Sequence, residues 1–101
     1  MASLPYIELL MEEIEDLHGC NSEHVESVFV HEVFHGQTVW KGMVEVFELA
    51  GHPKAKRAFA WSHPGGTRTK DERIVVVLEI PPVVSAQTAV HAIVTEAKEK
   101  H

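Results

Sequence analysis

His31-Glu32-Val33-Phe34-His35 matches the HExxH pattern of zinc metalloproteases. On a helix, two such histidines stand one turn apart and reach one zinc at about 2.0–2.1 Å, while the glutamate acts as general base on the bound water. The chemistry therefore requires a helix, and the flanking residues predict a strand instead. From Glu26 to Leu49 the chain is dense in valine and carries Phe29, Phe34, Trp40 and Phe47, the β-branched and aromatic composition of strands. In extended chain, residues four positions apart lie about 13 Å from each other, too far for His31 and His35 to share a tetrahedral metal. Thr38 and Lys41 stand where the longer metzincin pattern has its glycine and third histidine. Eight histidines in 101 residues also favour accidental matches. No metal and no cofactor is expected; a zinc hydrolase using His31 and His35 is the alternative.

Read as a hairpin with a two-residue turn at Gly36-Gln37, the stretch sets Val33 opposite Trp40, His31 opposite Gly42, Phe29 opposite Val44 and Glu32 opposite Lys41. One face then holds Phe29, Val33, Trp40, Val44 and Val46 and belongs to the core. His31, Trp40 and Phe29 on that face mark a candidate ligand pocket. The other face holds Val28, Val30, Phe34, Val39, Met43 and Phe47, interrupted by Glu32, Lys41 and Glu45. That is too apolar for a face left to water, and these six residues are the candidate interface.

Around the hairpin, Ser3 caps a first helix in which Ile7, Leu10, Met11, Ile14 and Leu17 form one apolar stripe and Gly19 is the stop. Ala55 to Ser62 and Arg73 to Ile80 read as a third and a fourth strand, the fourth apolar on both faces in its middle. Ser85 caps a last helix with Ala86, Ala89, Val90, Ile93, Val94 and Ala97 on its stripe. The expected fold is α+β, a single domain over residues 1–101. It is a two-layer sandwich, a four-stranded antiparallel sheet with the N- and C-terminal helices on one face. The order resembles that of double-stranded-RNA-binding domains and of the frataxin family by order alone. Ser85-Ala86-Gln87-Thr88 stand where the former has its basic helix start.

Composition narrows the function classes. The net charge is −6, and residues 1–50 hold ten carboxylates against one base, Lys41; nucleic-acid binding by the whole surface is disfavoured. The longest apolar run, Ile74 to Leu78, is far short of the ~20 residues that span a bilayer, so no membrane partner is expected. Cys20 is the sole cysteine, which agrees with a reducing, cytoplasmic setting. Bases concentrate between residues 54 and 73, where Lys56, Arg57, Arg68 and Lys70 form a candidate patch for phosphate or nucleic acid. The leading expectation is a non-enzymatic binding module that forms a homodimer through the open sheet face.

Overall fold

The computed structural model describes residues 4–64 and 72–99. Its elements are α1 (Leu4–His18), β1 (Asn21–Phe34), β2 (Gln37–Ala50), β3 (Arg57–Pro64), β4 (Glu72–Leu78) and α2 (Ala86–Glu99). The strands form one antiparallel sheet in the order β1-β2-β3-β4. The fold is α+β, and none of its described helices is long and apolar enough to cross a membrane. The expected Ser3 cap lies outside the described residues. At the other end of α1, Gly19 adopts φ 65° and its N–H donates to the Glu15 carbonyl at 2.8 Å, a left-handed stop that glycine makes without strain. The cap of α2 is reciprocal: Thr88 N–H donates to Ser85 Oγ at 3.2 Å, and Ser85 N–H donates to Thr88 Oγ1 at 2.9 Å.

The helices do not share a face. Ile7, Leu10 and Ile14 of α1 pack with Phe47, Ala58 and Ala60, flanked by Ile74, Val76 and Leu78. Ala86, Ala89, Val90 and Val94 of α2 pack with Val30, Trp40, Val44, Val46, Phe59, Trp61 and Val75. Alternate residues of a strand point to opposite faces, so these two clusters lie on opposite sides of the sheet. The expected two-layer sandwich is thus corrected to three layers, helix, sheet, helix. The cause lies in β3 and β4: Ala58 and Ala60 alternate with Phe59 and Trp61, and Ile74, Val76 and Leu78 alternate with Val75 and Val77. Strands apolar on both faces need a cover on each.

The hairpin register also differs from expectation. The turn is His35-Gly36, with φ of 53° and 77°, the mirror-image geometry that matches strand twist and requires two positive φ angles. Glu32 pairs with Trp40 and Val33 with Thr38, which leaves Val39 as a bulge. A one-residue shift exchanges the faces of one strand relative to the other, and here it exchanges those of β1, while Trp40, Val44 and Val46 of β2 are buried as expected. Phe29 now opposes Met43 and His31 opposes Lys41. Phe29 and Val33, expected in the core, are 62% and 49% exposed, whereas Val30 and Phe47, expected on the open face, are buried.

β2 pairs with β3 only from Glu45↔Ala60 to Glu48↔Arg57. Beyond Glu45, the two hairpins continue separately, and β1 with β2 forms a two-stranded ribbon. On one side of it Val30, Trp40 and Val44 join the α2 cluster; the other side is bare at Phe29, His31, Val33, Lys41 and Met43.

Trp40 packs against Trp61 with centroids 5.9 Å apart, and its ring lies over Gly42, where an added Cβ would come within 3.1 Å of two ring carbons. Gly42→Ala is therefore expected to push the indole against Trp61 and destabilise the fold by about 1–3 kcal/mol, read by urea denaturation followed through tryptophan fluorescence. An unchanged midpoint would show that the ring has room to move.

Candidate functional site

The residues of the HExxH pattern are extended, and they diverge. His31 is exposed on the bare side of the ribbon, its Nε2 2.6 Å from Thr38 Oγ1. His35 occupies the turn. Glu32 points to the other side and is buried, 6% exposed, beneath α2. Its Oε1 accepts from Gln87 Nε2 at 2.6 Å, and its Oε2 lies 2.6 Å from His91 Nδ1. The expected Glu32–Lys41 pair is corrected accordingly: Lys41 opposes His31, and the carboxylate is held by two α2 side chains. Among the described residues no group of three His, Cys, Asp or Glu is placed to hold a metal ion.

The Glu32 assembly orients an imidazole. Nδ1–H donates to the carboxylate, and on the far side of the ring His91 Nε2 lies 3.4 Å from Thr95 Oγ1. Carboxylate, imidazole and hydroxyl thus follow one another from the core to the surface of α2. The imidazole is 62% exposed and the carboxylate 8%, so solvent bathes the outer half of the chain of contacts. What the geometry provides is a polar clamp between β1 and α2. Neither Gln87 nor His91 signals this role in the sequence, because both fall outside the apolar stripe of their helix.

A second buried carboxylate sits on the α1 side. Glu45 is 1% exposed. Its Oε1 accepts from the Ser27 hydroxyl and lies 2.8 Å from His24 Nε2, with the His24 ring 5.4 Å from that of Phe47. All three residues share a face because the register shift between His24 and Glu26 brings His24 and Ser27 to the same side.

His18 and His52 meet edge to face, centroids 5.9 Å apart. His52 Nδ1 accepts the N–H groups of Lys54 and Ala55 at 3.1 and 3.0 Å. The neutral ring therefore carries its proton on Nε2 and is a poor ligand there. Burial, and then the neighbouring His52, push the pKa of His18 below its ordinary value of 6.5.

The structure separates the candidate pocket. Phe29 and His31 stand exposed on the bare face, and Trp40 is buried on the α2 side. Of the candidate interface, Met43 is 42% exposed on the bare face, Val28 and Val30 face α2, and Phe47 lies under α1. Phe34 and Val39 lie outside the residues whose side chains are described. Of the candidate basic patch, Lys56 is exposed and Arg57 lies 4.0 Å from Glu48 Oε2; Arg68 and Lys70 lie outside the described residues.

The surface that gathers exposed apolar side chains is therefore Phe29, Val33 and Met43, with Phe29 and Met43 directly opposite each other across the ribbon. His31 and Lys41 lie between them, and none of the exposed side chains on this face from Ser27 to Val33 is a carboxylate.

Comparison with protein-family models, characterised proteins and solved structures returned no match.

Two outcomes follow from these groups. His91→Ala removes one of the two donors to a buried carboxylate and is expected to cost about 1–2 kcal/mol in chemical denaturation, whereas His91→Gln is expected to recover part of that loss. A histidine whose folded pKa is lowered binds fewer protons than in the unfolded chain. Its contribution is therefore intact above pH 6.5 and declines as the pH falls below it. Denaturation of the wild type and of His18→Asn at pH 7.5 and 5.5 is expected to show the smaller loss on acidification in the variant.

Proposed function

We propose that this protein acts by association, as a non-enzymatic module that forms a homodimer through the bare face of the β1–β2 ribbon. The single observation that supports this reading is the exposure of Phe29, Val33 and Met43 side by side on a strand pair that α1 leaves uncovered. Monomers rarely leave such patches to water, because each apolar Å² removed from solvent contributes about 25 cal/mol. Electrostatics favours the same place. The chain is acidic, most densely on α1, where Glu8, Glu12, Glu15 and Asp16 are exposed. Two copies repel each other least where the exposed side chains carry no carboxylate. The surface therefore keeps Met43 of β2 from the residues expected in the sequence and takes Phe29 and Val33 of β1 in place of Val28 and Val30.

Size-exclusion chromatography with light scattering at tens of micromolar tests the proposal. The wild type is expected to elute as a dimer. Phe29→Asp, at an exposed position, is expected to elute as a monomer with an unchanged circular dichroism spectrum. A monomeric wild type over that range, or a dimer indifferent to Phe29→Asp, would refute it.

A further inference from the structure

β1 stands at the end of the strand order with β2 as its neighbour, so half of its backbone hydrogen-bonding groups face outward. Soluble proteins guard such edges with proline, lysine, bulges, inward-pointing charge or short strands. β1 is 14 residues long and contains no proline and no lysine. Its pairing with β2 shifts register between His24 and Glu26 and, through the Val39 bulge on β2, between Glu32 and Val33, towards its two ends. Glu32 is turned beneath α2 and held there by Gln87 and His91, so it presents no charge on the bare face. Ser27 to Glu32 is left as a regular edge of about 20 Å, touched at the His31 carbonyl by Gln87 Nε2 at 3.4 Å. The opposite edge of the sheet, β4, has 7 residues.

We infer that β1 receives β1 of a second copy in antiparallel pairing about a twofold axis, joining two sheets into one. This inference rests on the association proposed above and specifies its geometry: the apolar strips abut side by side in one extended sheet rather than stacking face to face. The sequence of the segment is compatible with itself in this arrangement. Centred on Val30, the pairing sets Phe29 opposite the partner's His31, Val28 opposite the partner's Glu32 and Ser27 opposite the partner's Val33. No two charges of the same sign are directly opposed. The faces agree as well: Ser27, Phe29, His31 and Val33 meet residues of the same side, so the apolar strips of the two copies run on across the junction. Val28 and Val30 remain on the α2 side. A second copy is the occupant because this stretch pairs with itself without opposing like charges and its exposed side chains include no carboxylate, Glu32 being buried, so two chains of net charge −6 can approach there at least cost.

Residue-resolved amide hydrogen exchange on the full chain tests the pairing, at a concentration where light scattering gives a dimer and at a dilution where it gives a monomer. The expected result is that alternate amides of Ser27–Val33, those pointing away from β2, slow by about tenfold or more in the dimer. A dimer in which those amides exchange as fast as in the monomer would overturn edge pairing and leave association through the bare face intact. A monomer at every concentration would overturn both.

Discussion

The turn at His35-Gly36 is the constraint on which the other features depend. Two residues with positive φ give the chain reversal whose twist matches that of the strands it joins. Starting the return strand at Gln37 and absorbing Val39 as a bulge places Trp40 opposite Glu32. From that register come both the buried and the bare side of the ribbon. Trp40 enters the core beside Trp61, Glu32 comes under α2, and Phe29 and Met43 remain in solvent. Any pairing one residue away would bury Phe29 and expose Val30.

Burying Glu32 is costly unless its oxygens find donors, and the two from α2 satisfy them. The clamp also fixes where α2 lies along β1, since Gln87 and His91 are one helical turn apart and both reach the same carboxylate. Glu45, on the α1 side of the sheet, instead ties β2 to β1 through Ser27 and His24. The sheet thus carries a buried carboxylate on each face, Glu45 where the two hairpins part and Glu32 nearer the turn.

Much of the fold was legible. The three-and-four spacing of Ile7, Leu10 and Ile14, Gly19 as a stop and Ser85 as a cap located both helices, and valine-rich alternation located the strands. The number of layers was also within reach: Ile74 to Leu78 is apolar without interruption, and a strand covered on one side would have alternated. The hairpin faces were not, because Gly36-Gln37 and His35-Gly36 are both plausible two-residue turns and histidine is an uncommon residue at positive φ. Glu32 and Glu45 looked like surface charges since their partners Gln87, His91 and His24 lie far from them in sequence or beyond a bulge, and no local pattern announces such contacts.

The HExxH pattern thus lies in an extended strand and its turn, with His31 and His35 apart, and its glutamate has a structural role that the pattern does not suggest. The surface we propose for association is the side of the ribbon that the register exposes. Interstrand Hα–Hα contacts observed by NMR test that register most directly. Contacts linking the non-hydrogen-bonded pairs among Phe29/Met43, His31/Lys41 and their neighbours are the predicted result. Contacts linking Phe29 with Val44 and His31 with Gly42 would contradict the account, because they would turn the apolar strip inward and leave nothing on the bare face to associate.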